Sequence, residues 1–529
     1  MIYSQTISNE SGVFLLPPDA SGTSFIASAS PAVAAGLLRS RKGKPFTVLP
    51  VTGKTFKSVL GEPYHPSEAG GQKAAEPIRH LKEALTEGDA LVVRVVAGDA
   101  EFPLIHFEGA DDSIATASMT FNSAPALNLA TTLLTVYVKD GDASATRSVQ
   151  LGTSDPELSA DKLFTISLFE GDGAPIESAV VSLDPMSTDE FGSSNYIVTY
   201  LEQRSKYLGA IVKPAATFAD LQGKFETKTT FVGGSDGGEP SIADYQKAVM
   251  VLGESEKFYS DILGMGCYDS AVLDDLAVYA GKRLCMFLYD DKPQLPLGSL
   301  DQGNQKGGSR GHRYHFPFWA SDPFSGQSMM WGISGSAFAA RARGLKQVTG
   351  TLAGYHLSPA GADRGRIARS AIKPDGAAIE DVIANGGALP SDQGATLLDY
   401  RINKVSTDST GNTFIDDAIT CHPKNDYLRF SHVTSILDSI SRSFYEVANE
   451  LKHGPDGITR DGLNRLMRQL LDSYVASGAL VKPRNPERDG DQPYQLEIEQ
   501  TEFDLWSVKW SVCPTGVARR LAGQPLLVQ

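Results

Sequence analysis

Gly233-Gly-Ser-Asp-Gly237 spells a nucleophile: Ser235 stands at the centre of a GxSxG pattern that follows an apolar stretch read as a strand. In an acyl-transfer enzyme such a serine sits on a strand-to-helix elbow, so the helix must begin at the nucleophile. Here Gly237-Gly-Glu-Pro240 postpones the helix to Ser241, where Ser-Ile-Ala-Asp has the form of a capping box. A hydrolase using Ser235 is thus one chemical reading, a structural turn is the other, and the spacing favours the turn. Nor is the loop a phosphate cradle, since no GK[ST] follows and Asp236 and Glu239 repel phosphate.

The other reactive side chains point to packing. His312 and His315 are three apart and could share a metal, but no third ligand stands near them at helical spacing, so a loop pair among aromatic neighbours is expected. His80, His356 and His432 stand alone. Arg341, Arg343 and Lys346 read as the basic end of a helix, solvated or facing a partner. Arg364, Arg366 and Arg369 suit an anion or an acidic neighbouring surface. The four cysteines, Cys267, Cys285, Cys421 and Cys513, are scattered singly, so neither zinc nor a disulfide framework is indicated. No acid–base constellation, cofactor motif or metal set is found, and the chain is read as a non-enzyme.

The elements that must position these residues alternate in type. Phe46 to Val51 is a strand, Gly70 to Leu85 a helix and Ala90 to Val96 a strand, while Pro31 to Lys44 reads as a connection. From 117 to 212 come short strands at Ser118 to Phe121, Leu133 to Lys139, Leu163 to Glu170, Glu177 to Leu183 and Tyr196 to Leu201, with hairpin signals at Asp140-Gly-Asp142 and Gly171-Asp-Gly173. Strand Thr229 to Val232, helix Ile242 to Leu252, strand Ile262 to Gly266, helix Ala271 to Ala280 and strand Leu284 to Tyr289 then predict a parallel sheet. Ser334 to Leu345 is a further helix, and Leu397 to Ile419 is strand-like.

At 529 residues the chain is long enough for about three to four domains of ~100–200 residues each. The net charge of −15 argues against a surface built to grip nucleic acid. No apolar run approaches a membrane helix, and no signal peptide is visible, so synthesis in the cytoplasm is expected.

The C-terminal stretch from Leu428 is a compact subdomain. Phe430, Val433, Ile436, Leu437, Ile440, Phe444, Val447 and Leu451 form an apolar helical stripe, and Asp461 to Ala476 repeats it, with Gly478 placed for a left-handed cap. Tyr494, Leu496 and Ile498, then Trp506, Val508, Trp510 and Val512, alternate as two strands. Beyond Cys513 the chain continues to Leu521, Leu526, Leu527 and Val528, surplus to that core. Residues 1–20, with Ile2, Tyr3, Val13, Phe14 and Leu15, are likewise extended and outside any helical period. Two β-competent arms flanking a folded body argue for assembly by strand pairing.

In order along the chain, several stretches resemble the contractile tail sheath proteins of bacteriophages and related contractile injection systems. They are Phe56-Lys-Ser-Val-Leu-Gly-Glu-Pro63 with Leu91-Val-Val-Arg-Val-Val96, then Glu177 to Asp184 with Asn195-Tyr-Ile-Val198 and Ser205-Lys-Tyr-Leu208, then Gly233 to Tyr245. Ser334 to Arg343 with Ser358-Pro-Ala-Gly361, Gly478-Ala-Leu480 and Trp510-Ser-Val-Cys-Pro514 complete the series. Asp417-Ala-Ile-Thr420 departs from the Gly-x-Arg-Thr string usual in that family.

The resemblance implies an α+β, multidomain chain: an N-terminal arm (1–20), a sheath core from an N-terminal α/β part (21–112) and a C-terminal part (396–516), a mostly β insertion (113–212), an α/β middle domain (213–395) and a C-terminal strand-donating arm (517–529). It implies stacked hexameric rings around a tail tube in the virion, with baseplate and tail terminator proteins as further partners, and no direct nucleic-acid contact or membrane insertion. The arms lend strands to neighbouring copies, and contraction from a metastable extended state drives the tube through a host envelope. Arg460, Arg465 and Arg468 are the expected tube-facing residues. A hydrolase and another self-assembling virion shell protein remain the alternatives.

Overall fold

Val33–Leu38 is the strand on which the body of the molecule is built. In this computed structural model, which describes residues 32–68, 70–108, 132–141, 147–153, 160–295, 299–348, 354–367, 369, 397–407 and 412–519, it lies inside a six-stranded sheet. The order is Gly311–Tyr314, Met286–Asp290, Asp261–Leu263, Val33–Leu38, Asp89–Arg94 and Val48–Val51. Every neighbouring pair is parallel except the last. Alternate residues serve opposite layers, as the pleat requires. Ala34, Leu38, Ala90 and Val92 belong to one core, Ala35, Leu37, Leu91 and Val93 to the other.

Helices Gly71–Ala84 and Ser334–Gln347 cover the first face, and Ile242–Gly253 and Ser270–Arg283 the second. The first two meet closely: a β-carbon on Gly335 would lie 2.1 Å from the carbonyl oxygen of His80, so only glycine fits there. Pro31 to Lys44 is therefore not a connection, a correction to the sequence reading. Its small residues hide the strand, and Gly36 is needed because the Met265 sulfur would lie 2.6 Å from a β-carbon at that position.

Two four-stranded antiparallel sheets form a second body, with order Lys228–Thr230, Arg147–Gly152, Leu163–Glu170, Glu177–Ser182 in one and Val232–Ser235, Glu101–Glu108, Thr132–Val138, Leu208–Val212 in the other. Phe164, Ile166, Leu134 and Val136 fill the space between them. Gly171-Asp-Gly173 does join a hairpin. Asp140-Gly-Asp142 does not, because the strands on either side of it belong to different sheets. The expected strand Tyr196 to Leu201 is instead part of the helix Ile197–Arg204, whose Ile197 and Leu201, one turn apart, are fully buried in the sandwich core.

Leu397 to Ile419 is not one strand: among its described residues, Val405–Thr407 and Thr413–Ile415 pair with each other. Helices Ser431–Leu451 and Asp456–Ala476 follow, with Gly478 in the left-handed region as the spacing predicts. Tyr494–Glu502 and Leu505–Val512 form the closing hairpin. The molecule is thus a mixed α/β, multidomain protein. The expected strand Ser118 to Phe121 lies outside the described residues.

Candidate functional site

Ser235 is exposed at the end of an edge strand, and its hydroxyl accepts a hydrogen bond from Gly237 N at 3.0 Å. The helix does not begin at Ser235 but seven residues later, at Ile242, under a capping box made by Ser241 and Asp244. The residue of that loop with structural consequence is Asp236. Arg94, wholly buried in its strand, donates from Nη2 to Asp236 Oδ1 at 2.6 Å and from Nη1 to Gly43 O at 2.9 Å and Asp140 O at 2.7 Å. Tyr64 donates its hydroxyl to the other Asp236 oxygen, and burial together with that carboxylate holds the phenol well above its ordinary pKa.

Beside this node the two chain crossings between the α/β body and the sandwich are fastened together. Gly238 N donates to both Asp99 oxygens at 3.0 and 3.2 Å, and Arg39 Nη2 donates to Gly238 O at 3.3 Å. Sequence reasoning passed over this set. Its signal was an arginine inside Leu91-Val-Val-Arg-Val-Val96, a run buried on both faces, where a charge requires a partner.

A second arrangement has the composition of a hydrolytic triad. His80 Nδ1 lies 3.1 Å from Ser334 Oγ, and His80 Nε2 lies 3.4 Å from Glu76 Oε1. Ser334 is fully buried and Asp290 accepts from the backbone of Ile333 (2.6 Å) and Ser334 (3.0 Å), so the group caps a helix inside the protein and presents no nucleophile. Burial alone would lower the His80 pKa, but Glu76, Asp290 and Glu83 around it raise it. In doubly wound sheets a ligand crevice opens at the carboxyl ends of the strands where the order reverses. Here that place, beyond Leu38 and Leu263, is occupied by buried Met265 and by Glu76, which accepts from Gly332 N at 3.1 Å and from the Tyr268 hydroxyl.

The remaining candidates are dispersed. His312 lies on a sheet strand rather than in a loop, because its neighbours in Gly-His-Arg-Tyr pair with Phe287 to Asp290; both of its ring nitrogens are buried, without a hydrogen-bond partner among the described residues. Burial, helped by Arg341, pushes its pKa down to about 3. No group of three or more metal-ligating side chains occurs among the described residues. Arg341 is buried, not solvated: it donates to Asp261 at 2.6 Å and to Ser435 at 3.0 Å. Arg343 pairs with Glu87 at 3.2 Å and Lys346 with Glu87 at 3.6 Å. Arg364 bonds Ser358 O, Arg366 bonds Asn412, and Arg369 bonds Trp331 O and Gly332 O and pairs with Glu83. Burial pushes the thiols of Cys267 and Cys421 up to about 11.

The closing hairpin has one face on the core. Tyr494, Leu496, Val508, Trp510 and Val512 pack against the core, and Trp510 meets Phe444 at 5.1 Å between ring centroids. Among the described residues neither outer edge of the hairpin pairs with another strand. After it, Thr515 N donates to Ala479 O at 2.9 Å, and Arg519 grips Asp417, donating from Nε at 2.7 Å. Arg460, Arg465 and Arg468 are exposed on the helix before the hairpin. Ile2, Tyr3, Val13, Phe14 and Leu15, and Leu521, Leu526, Leu527 and Val528, lie outside the described residues.

No protein-family model and no curated protein matches the chain. Among solved structures it is similar to the sheath tail protein of Listeria innocua, at 11% sequence identity and TM-score 0.55, over 92% of this chain and 93% of that one. A sheath tail protein of Desulfitobacterium hafniense is matched at 13% identity and TM-score 0.46, over 92% of this chain and 97% of that one. The sheath complex of an extracellular contractile injection system in its contracted state is matched at 13% identity and TM-score 0.38, over 53% of this chain and 74% of that one. The likeness to the Listeria protein defines the class of fold: this chain has the fold of a tail sheath protein.

Proposed function

We propose that this chain is a structural, non-enzymatic subunit of a contractile phage tail sheath. It polymerises as stacked hexameric rings around a tail tube and contracts from a metastable extended state to drive the tube through a host envelope. The observation that carries this reading is the closing hairpin, two strands that among the described residues pair with no third strand, on a sheath-protein fold. A two-stranded sheet is marginal alone, and open edges invite further strands. Residues 1–20 and 521–529 are the segments that neighbouring copies would lend to those edges as strands, giving directional backbone hydrogen bonds while the bodies stay free to move. Arg460, Arg465 and Arg468 face the tube on this reading, and baseplate and terminator proteins cap the stack in the virion.

The test is full-length expression with negative-stain microscopy. Hollow helical tubes are expected, and a chain cut after Arg519, which keeps the Asp417 ion pair, should remain folded but form none. A monodisperse protein whose esterase activity disappears in Ser235→Ala would overturn the reading in favour of a hydrolase, and closed shells would favour a capsid role.

A further inference from the structure

The β sandwich carries a loop and a groove that fit each other but not within one molecule. Residues 184–195 join the strand Glu177–Ser182 to the helix Ile197–Arg204. Met186 is 86% exposed and Phe191 83% exposed there, yet the backbone beneath them is held firmly. Asp184 Oδ1 accepts from Met186 N at 2.9 Å, Asp189 Oδ1 accepts from Phe191 N at 3.0 Å and Ser193 N at 2.7 Å, and Asn195 N donates to Ser187 O at 2.9 Å. A large apolar side chain held in water on an ordered loop gains nothing from folding, so its benefit must come from contact. Asp184, Asp189 and Glu190 give the loop a negative charge.

At the other end of the same strand and helix lies a groove of about 390 Å3 walled by Tyr200, Tyr207, Arg204, Lys206 and Glu177. The Arg204 guanidinium stands 5.1 Å from the Tyr200 ring centre and the Lys206 ammonium 5.0 Å from that of Tyr207. Aromatic faces under cations suit an apolar guest flanked by carboxylates. Among the described residues Glu177 Oε2 is buried there with no hydrogen-bond partner, an acceptor open to a backbone N–H of the guest. Met186 and Phe191 stand in solvent, so the loop does not fill the groove of its own copy.

We infer that the acidic, apolar loop 184–191 of one copy docks in the basic, aromatic groove of a second copy. The contact is head-to-tail, and such contacts generate rings or helical filaments rather than closed pairs. It requires only a second copy of the chain and does not depend on the terminal arms.

Two full-length variants test it, Thr188→Cys on the loop and Ser178→Cys beside the groove, both at exposed positions. Under mild oxidation a mixture of the two should give a mixed disulfide dimer that neither gives alone. The dimer should be lost when the loop variant also carries Met186→Ser and Phe191→Ser. It should also be lost with Glu190→Arg in the loop variant, and return when the groove variant carries Arg204→Glu. A mixture no better than the wild-type chain, or equal cross-linking by Thr188→Cys alone from loop-to-loop pairing, overturns the inference. The chain cut after Arg519 retains loop and groove, so this contact and the strand-lending arms can fail separately.

Discussion

Asp236 and Ser235 are adjacent, and their environments assign them opposite weights. Removing the Asp236 carboxylate leaves the buried Arg94 guanidinium with two carbonyls and no counter-charge, so Asp236→Ala should cost about 2 kcal/mol in thermal or urea unfolding. Ser235→Ala loses one exposed bond to Gly237 and should cost under about 1 kcal/mol. Equal costs would contradict the clamp. His312 makes the fold acid-sensitive. Its folded pKa is about 3 against about 6.5 for an unfolded histidine, so unfolded chains bind the extra proton between those values and stability falls as pH drops through that window. At pH 5 His312→Leu should be less acid-sensitive than the natural chain by about 2 kcal/mol, read from denaturation at pH 7 and pH 5.

The helix Ser431–Leu451 shows what a periodic pattern reveals and what it conceals. Its apolar stripe was legible: Val433, Ile436 and Ile440 are buried, and the last two share a core with Met467 and Leu471 of the second helix and with the hairpin. The opposite face is buried as well, and there the anchors are polar. Asp438 accepts from Arg310 at 2.7 and 2.6 Å, and Ser435 from Arg341. Asp438→Ala should therefore cost about 3–5 kcal/mol by stranding Arg310, measured by urea unfolding, whereas Asp472→Ala, which removes only an exposed bond to the Tyr494 hydroxyl, should cost under about 1 kcal/mol. Helices with a strong stripe or cap, such as Ile242–Gly253 under Ser241, were readable from residues alone. Val33–Leu38 was not, because Ala-Ala-Gly carries no strand preference and its place is decided by Met265 arriving from far along the chain. Ile197–Arg204 looked like a strand because Ile-Val-Thr-Tyr favours one, and burial of Ile197 and Leu201 on the sandwich overrode that preference. The Arg94, Tyr64 and Asp236 node was invisible for the same reason, since its members lie 142 and 172 positions apart in two of its bonds.

At the scale of the molecule, two bodies are joined where the chain crosses between them twice, with Lys44 pairing with Glu202 beside the crossings. The chain leaves the α/β body after Arg94 and returns at Asp236, and the two crossings touch: a β-carbon on Gly237 would lie 2.8 Å from Ala100 N. Residues 102–234 should thus be removable and the gap bridged by a short glycine–serine link, leaving an α/β body that unfolds cooperatively by circular dichroism, with loss of that transition as the contrary result. The junction is in effect a socket. Foreign modules whose own ends lie close together can be plugged in there while the α/β chassis stays unchanged.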